Sequence, residues 1–163
     1  MKKRLFLLFI STPLLFLNAD MIKTLPIDNT KLKQYINKAQ HTLSYFLEAH
    51  KNTKYKNANF LLKSKIIGDN ENMEIIHLWF GFIKYDGKYF YVKSFEIPDG
   101  YSNYKNKIIK LEKKDIEDWW LEDNGKLYGA YTVVMQRGKL KTQKEKNALD
   151  DYMGISQYMT SMP

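Results

Sequence analysis

No cysteine occurs among the 163 residues. That excludes disulfides, a thiol nucleophile, thiolate metal sites and a lipid-modified N-terminal cysteine. Histidine is scarce, with only His41, His50 and His77. Two of these fall in one candidate helix and one in a candidate strand, which is not the spacing of a zinc ligand set. No Gly-rich phosphate loop and no Gly-x-Ser-x-Gly motif is present. The 4 prolines and 8 glycines nowhere gather into a linker. Neither a cofactor nor a metal is expected, and no internal repeat divides the chain.

Long apolar runs are also missing, apart from Leu5 to Leu17, which Ser11, Thr12 and Pro13 interrupt. Lys2, Lys3 and Arg4 precede that run and Ala19 follows it. This is the layout of a secretory signal peptide. The run is shorter than the roughly 20 residues that cross a bilayer; an uncleaved anchor is the alternative. The expectation is a signal peptide over residues 1–19 and a single domain over 20–163. The protein is then periplasmic or secreted, with no stable membrane insertion after cleavage.

Three of the positive charges behind the net +8 belong to that leader. The rest favours solubility and weak attraction to anionic surfaces. An exported protein rarely meets nucleic acid, so none is expected as a partner. Without disulfides the fold rests on its apolar core, and 12 Tyr, 9 Phe and 3 Trp can supply one.

Residues 30–51 carry Leu32, Ile36, Ala39, Leu43, Phe46, Leu47 and His50 at helical spacing. The pattern predicts an amphipathic helix lying on a sheet. Strand patterns follow at 59–67, through 73–98, around Lys107 to Leu111, and on both sides of Asn124-Gly125. Asp86-Gly87 and Asn124-Gly125 each read as a two-residue hairpin turn. Lys141 to Met162 reads as helical, with Gly154 as an interruption. The fold class is α+β: an N-terminal helix on a curved antiparallel sheet of about five or six strands, then a C-terminal helix, the helices covering one face.

Two-residue turns fix which side chains oppose each other. At Asn124-Gly125, Trp120 falls opposite Gly129, Asp118 opposite Tyr131 and Ile116 opposite Val133. Trp119 and Trp120 then point to opposite sides. Trp120 is expected to fill the space over Gly129, and Asp118 to be a buried acid satisfied by the Tyr131 hydroxyl. At Asp86-Gly87, His77 falls opposite Glu96 and Trp79 opposite Ser94. Ile76, Leu78, Phe80 and Phe82 share the other, apolar side with Tyr91, Phe95 and Ile97, facing the helices.

The candidate chemistry follows from these pairings. His77 and Glu96, with Asp118, are the candidate catalytic groups of an acid–base hydrolase. The same pair is also an ordinary cross-strand contact. Trp79, His77, Ser94, Glu96 and Trp119 are the candidate binding residues of a sheet groove. Lysines alternate with aromatics at 54–65, 84–93 and 101–114. That pattern suits an anionic polymer, and it is also plain polar-out, apolar-in strand alternation.

The stretch "IEDWWLEDNGKLYGAYTV" resembles the closing signature of the YegJ-like family, domain of unknown function 2314. The matching positions are Ile116, Asp118, Trp119, Trp120, Gly125, Gly129, Tyr131 and Thr132. "AQHTLSYFLEAH", "FLLKSKI" and "HLWFGFIKYDGKYFYVKSFEIP" fit its helix, first strand and Trp-containing hairpin, so the likeness runs over about 38–136. Trp120 departs from the smaller apolar residue usual there. The resemblance implies a small α+β domain, sometimes exported, and brings no assigned activity or catalytic residues. The reading is a non-enzymatic module that binds a protein or peptide of the cell envelope through a groove or a sheet edge. The alternatives are the His77–Glu96 enzyme and a weak binder of anionic cell-surface polymers.

Overall fold

A computed structural model describes residues 29–163. The leader read at 1–19 lies outside the described residues. The helix α1 (Asn29–Lys51) is followed by strands β1 (Asn59–Ile66), β2 (Ile76–Tyr85), β3 (Phe90–Lys93), β4 (Ile108–Leu111), β5 (Ile116–Asp123) and β6 (Lys126–Gly129). Then come α2 (Tyr131–Lys139), α3 (Gln143–Met153) and β7 (Gln157–Tyr158). The seven strands form one sheet in the order β4-β3-β2-β1-β5-β6-β7. All neighbours are antiparallel except β6 and β7. This is an α+β fold, with one strand more than expected because the short C-terminal β7 joins the edge.

The α1 stripe does what its spacing predicts. Ala39, Leu43 and Phe46 are buried against Leu62, Leu78, Phe80, Trp119 and Leu121. Phe46 meets Phe60 and Phe82 edge-on, with ring centroids at 5.4 and 5.0 Å. His50 ends the stripe edge-on to the same two rings. Partial burial there pushes its pKa down.

The helices do not all lie on one face. A second apolar cluster joins Leu61, Trp79, Trp120 and Leu127 of the sheet to Ala130 and Val133 at α2 and Leu149 and Met153 of α3. The central strands explain it. β1 and β5 each carry four consecutive buried residues, so both of their faces need cover. α3 starts with a Thr142–Glu145 capping box and ends on Gly154 at φ 69°, where the interruption was read.

The two hairpins behave differently. Asn124 and Gly125 both take positive φ, 52° and 81°, as a tight two-residue turn requires. The register Asp123↔Lys126 through Trp120↔Gly129 follows as expected. Beyond it the expected pairs Asp118–Tyr131 and Ile116–Val133 do not form. Gly129 (φ 69°) and Ala130 (φ 47°) are both left-handed, and they swing the chain off the sheet into α2. The Asp86-Gly87 turn is not a two-residue loop. Asp86 accepts the N–H groups of Lys88 (2.9 Å) and Tyr89 (2.8 Å) and the Tyr91 hydroxyl (2.8 Å), an Asx-type arrangement. Tyr85 therefore pairs with Phe90, and a bulge at Ile83 shifts the register again.

Candidate functional site

The slipped first hairpin redistributes the expected site. β3 ends at Lys93, so Ser94 and Glu96 leave the sheet. His77 has no Glu96 opposite it; its neighbour across β1 is Lys65. Trp79 lies across from Lys63, not from Ser94. Ser94 is buried and its hydroxyl donates to the Tyr104 carbonyl at 3.2 Å. Glu96 is exposed in the loop after β3.

His77 finds a carboxylate through a different irregularity. The β1–β5 register steps from Lys63↔Asp118 to Ser64↔Ile116. Glu117 is the extra residue of that bulge. Its Oε2 stands 2.5 Å from His77 Nδ1, with both side chains partly open to solvent. This dyad orients the imidazole and leaves Nε2 free of the carboxylate. It is the kind of pair that can move a proton.

Asp118 is committed elsewhere. It is completely buried. Oδ1 accepts the N–H groups of Trp119 (2.9 Å) and Tyr131 (3.1 Å). Oδ2 accepts the N–H and the hydroxyl of Thr132, both at 2.7 Å. The left-handed pair Gly129-Ala130 is what turns successive N–H groups toward the carboxylate, a nest closed by a side chain of the same chain. Burial pushes the Asp118 pKa up to about 6, against the pull of the Thr132 bonds and of Lys63. Lys63 is itself buried and donates to Thr132 Oγ1 at 3.3 Å. Burial lowers its pKa, while Asp118 and Glu117 act to raise it. Asp118, Thr132 and Lys63 form a closed polar cluster, and the Tyr131 hydroxyl expected there instead meets Thr42 Oγ1 at 3.0 Å.

The tryptophans are structural. Trp119 is fully buried under α1, with Nε1 donating to Thr42 Oγ1 at 3.0 Å. Trp119, not Trp120, fills the space over Gly129: a Cβ there would stand 2.5 Å from the Trp119 ring and from its carbonyl oxygen. The left-handed φ of Gly129 directs that position to the Trp119 side. Trp79 and Trp120 do share a face and meet edge-on at 5.7 Å. Both are covered in the second cluster. Trp79 and Trp119 therefore do not line a groove.

What remains open is the far part of the face on which a groove was expected, with other residues than those named for it. On the second face, beyond Trp79, the Phe95 ring lies over Gly81, its Cζ 3.3 Å from the place of a Cβ. Lys93 is the neighbour of Gly81, and Ile108 the neighbour of Lys93, so both point to this side. Ile83, the extra residue of the β2 bulge, is exposed next to them. Phe95, Ile83 and Ile108 are 50%, 40% and 62% exposed. Tyr91 carries Lys84 Nζ at 4.8 Å and Lys110 Nζ at 5.6 Å from its ring centroid. Among the described residues, half of one sheet face is therefore left uncovered, with apolar side chains and lysines exposed on it.

Residues 29–156 match the model of a family described as an uncharacterised protein conserved in bacteria, DUF2314, and the chain belongs to that family. Over 97 residues it is 31% identical to a putative ankyrin repeat protein of Neisseria meningitidis serogroup B (strain ATCC BAA-335 / MC58). That match covers 58% of this chain and 38% of the other protein, so the chain spans well under half the length of this curated relative. No solved structure matches.

Proposed function

We propose that this DUF2314 member is a non-enzymatic, exported binding module that takes a protein or peptide on the bare half of its sheet. The observation that carries the reading is the uneven cover of the second face. α2 and α3 bury Leu61, Trp120 and Leu127, while Ile83, Phe95 and Ile108 stay exposed beside Tyr91. Contiguous apolar residues rimmed by charge are the usual mark of an interaction surface. The leader read over residues 1–19 supports a partner in the cell envelope.

The test is site-specific photo-crosslinking from position 95, with position 45 on the exposed side of α1 as the control. A discrete protein adduct from position 95 that is absent from position 45 is expected. Combining Phe95→Ser with Ile108→Ser should abolish capture by a separately placed crosslinker while shifting stability by only about 0.5 kcal/mol each, as surface substitutions do. Equal labelling from both positions, or none, removes the reading.

A second reading has one observation in its favour, the His77–Glu117 dyad at 2.5 Å. It places acid–base chemistry at His77 Nε2. It requires a turnover that disappears in His77→Gln and falls sharply in Glu117→Gln, with the fold intact.

A further inference from the structure

The two edges of the sheet are not equivalent. One ends in β7, whose two residues are tied back to β6, with Met159 N–H on the Leu127 carbonyl at 2.8 Å. The other is β4, a four-residue strand outermost in the sheet order. Alternate residues of an edge strand direct N–H and C=O groups outward, ready for another strand.

The charge along that strand is mostly positive. Residues 105–114 hold Lys105, Lys107, Lys110, Lys113 and Lys114 against Glu112 alone. Glu112 is occupied by Lys114 at 2.8 Å. Asp86 is bound by Lys88, Tyr89 and Tyr91, and Asp115 by the Glu112 N–H at 2.9 Å; Glu96 and Asp99 stand exposed in the loop between β3 and β4. Lys84 and Lys93 extend the basic field across the bare face, and Ile108 stands between edge and face.

We infer that the occupant is an extended acidic segment of a partner protein, added as a strand along β4 with apolar and acidic side chains together on the face that carries Ile108, Lys93 and Lys110. This rests on the binding reading above and deepens it. Strand addition gives affinity through the main chain, and the lysines select carboxylates. A lipid surface matches the charge but leaves the outward N–H and C=O groups of β4 unsatisfied in its apolar layer. A peptide satisfies both.

The test titrates the full chain with a fluorescent ten-residue peptide of repeating Glu-Glu-Val-Val, which presents both residue types on each face of a strand. The parallel titrations use a Lys–Val peptide, the Glu–Val peptide N-methylated at alternate residues, and phosphatidylglycerol vesicles. The Glu–Val peptide should bind, with affinity dropping about tenfold from low to high salt. Methylation that removes alternate N–H groups should weaken it about tenfold or more, as should Lys107→Glu with Lys110→Glu. The Lys–Val peptide should not bind. No Glu–Val binding at millimolar concentration, unchanged binding of the methylated peptide, or a preference for vesicles overturns the inference. If the position-95 adduct persists in any of those cases, the binding reading stands and only the acidic strand falls.

Discussion

The Asp118 carboxylate accepts both the backbone N–H and the hydroxyl of Thr132, each at 2.7 Å. A strand residue thereby caps the first turn of a helix that the same hairpin has just left. Ala130, at the start of α2, makes no side-chain cap of its own, so Asp118 supplies the missing acceptor from across the sheet. With Trp119 and Tyr131 also donating, the carboxylate ends four donors at once.

Asp118→Ala should therefore be among the costliest single changes. It leaves buried Lys63 with Glu117 as its remaining nearby acid and several N–H groups without an acceptor. Each buried group left unsatisfied costs about 1–3 kcal/mol, so the loss should reach several kcal/mol. Asp118→Asn should also destabilise, because its amide group presents N–H where an acceptor is needed. Urea unfolding midpoints at neutral pH measure both. A cost within error of a surface substitution would show that the cluster is not holding α2.

The same group sets a pH signature. Burial raises the Asp118 pKa from the usual 3.8 to about 6. The folded state thus holds the proton more tightly than the unfolded chain. The associated stability is fully present below about pH 4 and is lost as pH rises through 6. Two pKa units correspond to about 3 kcal/mol. The stability of the wild type relative to Asp118→Asn should therefore fall by up to that amount between pH 4 and 7. Lys63→Met removes a charge that lowers the Asp118 pKa, so its carboxyl titration, followed by NMR, should move above 6.

Gly129 gives a backbone test with an internal control. Gly129 (φ +69°) meets the Trp119 carbonyl and ring at 2.5 Å from any added Cβ, whereas Gly87 (φ +99°) meets nothing within 4 Å. Gly87→Ala should cost about 1 kcal/mol, the conformational penalty alone. Gly129→Ala adds a clash with backbone that cannot move without breaking the β5–β6 ladder, and should cost about 3 kcal/mol or more. Thermal unfolding of the two variants side by side reads the difference.

What the sequence could and could not disclose follows from how local each determinant is. Asn124-Gly125 encodes its turn in two residues, and the register it sets was legible through Trp120 and Gly129. So was the stripe of α1, because its period repeats over several turns. Asp86-Gly87 looked equivalent, but the Asp86 side chain captures two backbone N–H groups and enlarges the loop. "AYTVVM" reads as strand by its β-branched residues. It forms the start of α2 because a carboxylate from β5 and two left-handed residues override propensity. Glu117 was not readable as the His77 partner. The two meet only because β1 lies between β2 and β5 and a bulge turns Glu117 inward, and both are matters of long-range pairing. A groove was expected on the second face, but which part of that face stays open was not legible for the same reason, since it depends on which strands α2 and α3 reach.

The C-terminal cover depends on one further junction. Arg137 of α2 donates from Nε to Asp150 Oδ1 at 2.8 Å and from Nη2 to Oδ2 at 2.7 Å, and the Tyr158 hydroxyl donates to Oδ1 at 2.6 Å. One carboxylate of α3 thus joins α2, α3 and β7. The Arg137 guanidinium also lies 4.9 Å over the Tyr158 ring. Burial alone would raise the Asp150 pKa, but the bonds from Arg137 and Tyr158 win and hold it below the usual range. Its contribution is therefore present above that range and lost as acid protonates it. Asp150→Ala should cost about 1–3 kcal/mol, the worth of charge-assisted bonds. Arg137→Lys should fall between that variant and the wild type, since it keeps the charge but cannot form the fork. Hydrogen exchange at Gln157, Tyr158 and Met159 should accelerate in Asp150→Ala while the amides of β1 and β2 stay protected. Uniform acceleration across the sheet would mean that this junction is part of the global core and not the clamp of its C-terminal edge.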